Sequence, residues 1–180
     1  MTGGEGLATV LVTGARKAME RLHSSDIVKL AVSVIICIIP GFVGSMINMK
    51  AIPTWYAFIE RPSFAPPNWV FAPVWTGLYV MIGVALFLVW RKGTGSPGVK
   101  GAIVAFVIQL ALNGLWTPAF FGLESPLAGL VVIVLMWIAI LVTIIKFFPI
   151  SRTAGILMIP YLAWVSFATA LNAGIYLLNR

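Results

Sequence analysis

The chain has 180 residues, of which 61% are apolar and only 9% are Asp, Glu, Lys or Arg, and its formal net charge is +7. Soluble domains carry about 25% charged residues, so this composition excludes an ordinary water-soluble domain and predicts a chain solvated mainly by lipid. The basic residues lie at the ends of apolar runs rather than in one stripe, which argues against a nucleic-acid partner.

The first 26 residues are more polar than the rest of the chain and hold several basic side chains, among them Arg16, Lys17 and Arg21. Leu7 and Leu11 with these cations fit a weak amphipathic helix on the membrane surface or a targeting segment, and a disordered basic tail fits equally well. We therefore predict a polar N-terminal extension over residues 1–26 and a membrane domain over residues 27–180.

Five apolar runs follow this extension, and charged residues mark their borders because an ionised side chain inside the bilayer costs several kcal/mol. Each run is near or above the roughly 20 residues that a spanning helix needs. The sequence therefore predicts an all-α membrane protein, a five-transmembrane-helix bundle, with spans at about Ile27 to Asn48, Phe71 to Trp90, Gly101 to Phe121, Pro126 to Phe147 and Thr153 to Leu178.

The distribution of Lys and Arg predicts the orientation of these spans. Five spans place the N-terminus and the C-terminus on opposite sides of the membrane, and the basic residues divide nine to three between the two sides. The richer side, which also holds the N-terminus, has Arg16, Lys17, Arg21, Lys29, Arg91, Lys92, Lys100, Lys146 and Arg152; the other has Lys50, Arg61 and Arg180. The positive-inside rule then predicts a cytoplasmic N-terminus in a multi-pass protein, while the membrane itself, bacterial or organellar, stays open.

The connection between the first two spans, residues 49–70, is rich in proline and aromatic residues. Its four prolines, Pro53, Pro62, Pro66 and Pro67, prevent a long regular helix and favour a rigid, ordered connection. Its aromatic residues are Trp55, Tyr56, Phe58, Phe64 and Trp69. Two interpretations fit: a lid over a cavity, or an aromatic belt that anchors the loop at headgroup level.

Polar residues within the spans need a protein, water or ligand partner because lipid offers none. Gln109, Asn113 and Thr117 recur at intervals of four and share one face of the third span, beside Trp116. Interhelical hydrogen bonds are the structural interpretation for these side chains, and a ligand contact is the functional one, for Asn113 above all.

Residue types that serve acid–base, thiol or metal chemistry are scarce. Cys37 and His23 are the only cysteine and histidine, and the five acidic residues form no convincing pair. We therefore expect no metal site, no required cofactor and no ordinary hydrolytic activity.

Three segments resemble the translocator protein family, in order and spacing. They are TWYAFIERPSFAPPNWVFAPVWTGLYV at 54–80, LNGLWTPAFFG at 112–122 and IPYLAWVSFATALN at 159–172. The resemblance implies a five-helix bundle, expected to be a homodimer, with a lid formed by the first loop. It also implies binding of tetrapyrroles (protoporphyrin, haem) and of sterols, in their sensing, sequestration or transport. The ligand-binding residues that it implies are Tyr56, Pro66, Phe71, Ala72, Trp75, Asn113, Trp116, Trp164, Ala168 and Leu171.

Trp75 and Trp164 match two tryptophans that some bacterial members are thought to use in light-dependent porphyrin breakdown. The resemblance therefore offers a second interpretation, a porphyrin-degrading enzyme in which these two residues are catalytic. The family's sterol motif is expected near the C-terminus, where Leu171, Tyr176 and Arg180 satisfy its loose pattern in a shifted register. A transporter or a structural membrane partner without a small ligand is a third interpretation.

Overall fold

The computed structural model describes residues 24–180, which contain helices and no strand. Five of the helices are long and apolar enough to cross a membrane. They are α1 (Ser24–Ala51), α2 (Phe71–Trp90), α3 (Val99–Thr117), α4 (Pro126–Phe147) and α5 (Arg152–Leu178). The predicted all-α membrane bundle of five spans is thus confirmed, while the predicted N-terminal extension falls mostly on residues 1–23, outside the described part of the chain.

Serine caps define where the last two helices begin. The Ser125 hydroxyl accepts a hydrogen bond from the Ala128 amide at 3.2 Å, and the Ser151 hydroxyl accepts one from the Ala154 amide at 3.3 Å. Each cap satisfies a backbone N–H that has no partner within the helix, and Pro126 suits the first position of α4 because that position needs no donor.

The third span does not end as a regular α-helix. Pro118 has no backbone N–H, and the chain widens from here into a π turn over Pro118–Gly122. Bonds five residues apart hold this turn, from the Leu123 amide to the Pro118 carbonyl and from the Ser125 amide to the Phe120 carbonyl, at 2.9 and 3.1 Å. The turn carries the span to Gly122, one residue past the predicted end at Phe121, and brings Phe120 and Phe121 towards the interior of the bundle.

Helix α1 lies against α2 and α3, and it leaves more of its surface exposed than the other four spans. Its backbone approaches α2 closely at Gly83, where an added Cβ would lie 2.7 Å from the Cα of Val34. Only glycine allows this approach. The main buried core lies mainly among α2, α3, α4 and α5, and includes Phe106 and Phe147 with nearly parallel rings 5.8 Å apart.

The lid is the segment 52–70 between α1 and α2. It contains a single helical turn, Trp55–Phe58, and a short 3-10 turn, Asn68–Val70. Tyr56 is buried and Trp55 is half-buried, whereas Phe58 is 87% and Trp69 74% exposed. Tyr56 and Trp55 therefore pack on the bundle, as expected of a lid. Phe58 and Trp69 face outwards, as expected of an aromatic belt.

The lid is fastened to the C-terminal end of α5. The Glu60 amide donates to Asn179 Oδ1 at 3.0 Å, and Asn179 Nδ2 donates to the Glu60 carbonyl at 2.9 Å. Pro62 packs against Gly174, where a Cβ would lie 2.5 Å from the proline ring. The side chain of Asn179 and the close packing at Gly174 thus fix the position of the lid on the end of α5.

Candidate ligand-binding cavity

A cavity of about 440 Å³ lies beneath the lid, between all five helices. Its size falls in the range of roughly 300–1,000 Å³ that is typical of small-molecule sites. The wall is mainly apolar and aromatic, and its residues include Ile38, Gly41, Gly44, Ser45, Asn48, Ile52, Tyr56, Asn68, Phe71, Ala72, Trp75, Thr76, Tyr79, Asn113, Trp116, Thr117, Phe120, Phe121, Met136, Ala168, Leu171 and Asn172.

The lid and the π turn form an aromatic cluster on one side of the cavity. Trp116 stacks on Phe120, with ring centroids 5.2 Å apart and planes inclined by 21°. Tyr56 of the lid packs against Phe120 and Phe121 at 6.3 and 5.4 Å, and Trp55 meets the same two rings from outside the cavity. Such tilted and offset contacts hold the lid by area burial and ring electrostatics.

A second aromatic group lies on α2 and α5. Trp75 stacks on Tyr79 with centroids 5.5 Å apart and planes 30° apart, and it meets the edge of Tyr161 at 6.2 Å. The indole of Trp75 is thereby held in one orientation at the wall. A flat apolar ligand would find aromatic surfaces on two sides of the cavity.

A buried chain of hydrogen bonds crosses the bundle at the cavity wall. The Tyr79 hydroxyl donates to Asn113 Oδ1 at 2.9 Å, and Asn113 Nδ2 donates to the Tyr161 hydroxyl at 3.0 Å. The Tyr161 hydroxyl in turn contacts Met136 Sδ at 3.7 Å. The amide of Asn113 is therefore engaged by α2 and α5, and its role in this structure is to join three helices.

Asn172 on α5 has a similar structural role. Its Oδ1 accepts from Trp116 Nε1 at 3.1 Å, and its Nδ2 donates to the Pro126 carbonyl at 2.8 Å. This arrangement fixes the ring of Trp116 at the wall and ties α5 to the start of α4. Gln109, one turn before Asn113, is fully buried, and neither atom of its amide has a hydrogen-bond partner.

Arg61 lies at the outer side of the lid. Its guanidinium carbon is 5.4 Å from the centre of the Tyr56 ring, and Nη1 donates to Asn68 Oδ1 at 3.5 Å. Burial raises the pKa of Tyr56 above its ordinary value of 10.0, and the nearby positive charge of Arg61 opposes that rise. A cation thus stands beside two residues of the cavity wall.

Eight of the ten ligand-binding residues implied by the resemblance line the cavity. They are Tyr56, Phe71, Ala72, Trp75, Asn113, Trp116, Ala168 and Leu171. Pro66 lies in the lid, half-buried, and is not part of the wall. Trp164 is not part of the wall either: its ring contacts that of Phe71, with centroids 5.9 Å apart, and that of Phe167 at 5.4 Å.

The two tryptophans assigned to the catalytic interpretation therefore differ in position. Trp75 is at the cavity wall, whereas Trp164 is outside the wall and contacts the ring of Phe71, which is part of it. The indole nitrogen of Trp164 is buried and has no hydrogen-bond partner.

The residues of the loose sterol motif differ in how far they are buried. Leu171 is buried at the cavity wall, Tyr176 is half-buried, and Arg180 lies beyond the end of α5 and is exposed. Leu171 thus belongs to the cavity wall, whereas Arg180 lies at the surface beyond the helix end.

Several wall residues were not anticipated from the sequence. Helix α1 contributes Gly41, Gly44, Ser45 and Asn48, and the π turn contributes Phe120 and Phe121. The small and polar residues of α1 recur at intervals of three and four along an otherwise apolar helix, and this pattern is the signal that could have identified them.

Comparisons with known proteins point to the same family as the three sequence segments at 54–80, 112–122 and 159–172. A family model described as the TspO/MBR family matches residues 33–178. A tryptophan-rich protein TspO of Archaeoglobus fulgidus is 46% identical over 154 residues, covering 86% of this chain and 99% of that protein. A protein of the same name from Chlorobaculum tepidum is 45% identical, covering 87% and 99% of the two chains. The human translocator protein is 39% identical over 134 residues, covering 73% and 78%.

Proposed function

The chain belongs to the TspO/MBR family, and on that basis we propose that it is a membrane receptor that binds tetrapyrroles such as protoporphyrin and haem. In this role it acts in their sensing, sequestration or transport. The observation that carries the proposal is the lid-covered cavity of about 440 Å³ with aromatic surfaces on two sides. A porphyrin is a flat, largely apolar macrocycle, so stacking and area burial in such a cavity supply most of its affinity.

The charges at the lid support the same ligand class. The propionate groups of a porphyrin favour the polar rim of the cavity, and Arg61 stands there beside Tyr56 and Asn68. Guanidinium groups pair with carboxylates through two parallel hydrogen bonds, which also orient the ligand. The proposal therefore places the macrocycle between Trp75 and Trp116 and its propionates towards Arg61.

A titration of protoporphyrin into the purified protein tests this function. Tryptophan fluorescence is followed in darkness, because Trp75 and Trp116 at the wall would be quenched by a bound macrocycle. Saturable quenching at micromolar ligand supports the proposal. Quenching that rises linearly with ligand and never saturates contradicts it.

Light-dependent porphyrin degradation is a second candidate, and the position of Trp75 against the cavity favours it. Illumination of the bound complex, followed by absorption spectra, separates turnover from binding alone. If this candidate is right, product forms with the wild type and not with Trp75→Phe. The Trp164→Phe variant shows whether the indole that packs against Phe71 takes part in the reaction.

We also propose that the protein binds sterols and forms a homodimer, because the family resemblance implies both. Two pairs of small residues four apart, Gly101 with Ala105 and Ala170 with Gly174, are of the kind that lets helices pack closely. Gly101 and Ala170 are exposed, whereas Ala105 is buried and Gly174 packs on the lid. Light scattering in detergent measures the oligomeric state. Competition between cholesterol and protoporphyrin measures whether a sterol occupies the same cavity.

A further inference from the structure

Four asparagines line the cavity, one of them Asn68 of the lid, which accepts from Arg61; the other three lie on α1, α3 and α5 and differ in what their amides do. Asn113 accepts from Tyr79 and donates to Tyr161, and Asn172 accepts from Trp116 and donates to the Pro126 carbonyl. Asn48 on α1 also lines the cavity, but its Oδ1 is buried and has no hydrogen-bond partner. The amides of Asn113 and Asn172 therefore hydrogen-bond within the protein, whereas the amide oxygen of Asn48 does not.

An unpartnered amide oxygen is costly within a membrane-spanning bundle, because no water there replaces the missing bond. Among the described residues, buried side-chain atoms without a partner occur at Ser33, Asn48, Gln109 and Trp164. Of these four residues, only Asn48 belongs to the cavity wall. The oxygen of Asn48 is buried as the side chain stands, so a turn of its amide about the terminal torsion is what would bring it to a ligand in the cavity.

The position of Asn48 suits a contact with the edge of a ligand rather than with its ring face. Asn48 lies near the end of α1 that leads into the lid, and Ser45 and Ile52 continue the same wall on either side of it. The terminal torsion of an asparagine is broad, so the amide can turn into the cavity while the helix stays in place. Trp75 and Trp116 supply the aromatic surfaces elsewhere in the wall.

We propose that the amide of Asn48 hydrogen-bonds the polar edge of the ligand, a carboxyl or hydroxyl group on an otherwise apolar ring system. Asn113 holds the helices together and is not the polar contact. This inference rests on the proposed function. In it, Asn48 makes the cavity prefer ligands that carry a hydrogen-bonding group at their edge.

The test compares protoporphyrin affinity, measured in darkness by tryptophan quenching, for the wild type, Asn48→Leu and Asn48→Ala. Both variants should weaken binding by about 5- to 10-fold, the usual effect of losing one hydrogen bond. The alanine variant leaves no bulk in the cavity, so a loss shared by both variants reports the amide rather than crowding. Met49→Ala, on the exposed side of α1 and outside the wall, is the matched control.

Thermal unfolding of the same variants separates binding from a structural role. Asn48→Leu should leave the Tm unchanged or raise it, because it removes an unpaired polar atom. Asn113→Leu should lower the Tm, because it leaves the Tyr79 hydroxyl without its acceptor. The inference is overturned if both Asn48 variants bind within twofold of the wild type, if only the leucine variant is weakened, or if the Tm of Asn48→Leu falls as that of Asn113→Leu does. Failure of the wild type to bind would instead contradict the proposed function.

Discussion

Buried side chains of one type have different roles in this bundle according to their hydrogen-bond partners. Asn113 is an interior link because two tyrosine hydroxyls use both ends of its amide. Sequence alone places Asn113 on a polar face and leaves open whether its partner is protein or ligand. The partner atoms lie on α2 and α5, and a pattern within α3 carries no information about them.

Replacing Asn113 by leucine should destabilise the protein by about 1–2 kcal/mol, since the Tyr79 hydroxyl loses its acceptor in a buried place. Unfolding by denaturant in detergent, followed by circular dichroism, measures this change. The Tyr79→Phe, Asn113→Leu double variant should cost less than the sum of the two single changes, because both remove the same bond. Strict additivity would show that the bond contributes nothing.

Replacing Arg61 by leucine should raise the pKa of Tyr56 further, because burial already raises that pKa and the charge of Arg61 opposes the rise. A phenol with a raised folded pKa stabilises the fold fully below its unfolded pKa, near 10, and loses that contribution as pH rises through the folded value. Absorbance of tyrosinate at alkaline pH measures the change. A lower Tyr56 pKa in the variant would contradict the assignment.

The lid illustrates what local sequence patterns predict at the scale of one element. Its prolines and aromatic residues predict an ordered connection, and Tyr56 packs inwards as a lid requires. The lid is held on α5 by Asn179 and Gly174, which lie more than 100 residues away in sequence. The hydrogen bonds between Glu60 and Asn179, for example, join positions 119 residues apart. No pattern within the lid identifies those partners.

Asn179→Ala should speed ligand release, because it removes both hydrogen bonds between the side chain of Asn179 and the Glu60 backbone and so lowers the barrier to opening the lid. Loss of about one net hydrogen bond predicts a dissociation rate about 5- to 10-fold faster. Stopped-flow recovery of tryptophan fluorescence after dilution measures the rate. Leu177→Ala, on the exposed surface of the same helix, is the control; equal rates for both variants would refute the fastening role.

The π turn is an element whose shape the sequence did not predict. The length of the apolar run predicted a span to Phe121, and the chain does remain helical to Gly122. The change of hydrogen-bond pattern at Pro118 depends on how the following residues find carbonyl partners, which composition does not determine. That change directs Phe120 and Phe121 towards the lid and so forms part of the cavity wall.

At the scale of the whole molecule, the five spans can be predicted from the sequence. A span is defined by its length, its apolar composition and the charged residues at its ends, and none of these depends on how the helices pack together. Helices α2 and α4 begin and end at the predicted residues, Phe71 to Trp90 and Pro126 to Phe147. Which faces line the cavity depends on packing between helices. For that reason the sequence predicts no wall residue on α1, although Gly41, Gly44, Ser45 and Asn48 line the cavity, and Trp164, implied as a ligand-binding residue, packs against Phe71 outside the wall.

The orientation in the membrane can be tested with single cysteines at exposed positions on opposite ends of the bundle. A membrane-impermeant maleimide should label Ser63→Cys in the lid from outside, and Gly95→Cys between α2 and α3 only after permeabilisation, as the positive-inside rule predicts. Cys37, the buried native thiol, is replaced by serine in both variants. Labelling in the reverse order would place the lid on the cytoplasmic side.

The most direct test of a tetrapyrrole site in the lid-covered cavity is the dissociation constant of protoporphyrin, measured in darkness for wild type and two matched variants. Ala168→Phe fills the cavity at its wall, whereas Ala111→Phe adds the same bulk at an exposed position of α3 outside it. Ala111→Phe should bind like the wild type, and Ala168→Phe should bind at least about 10-fold more weakly, as expected when a large side chain occupies ligand volume. Equal affinities of Ala168→Phe and wild type, with an unchanged Tm, would contradict the site.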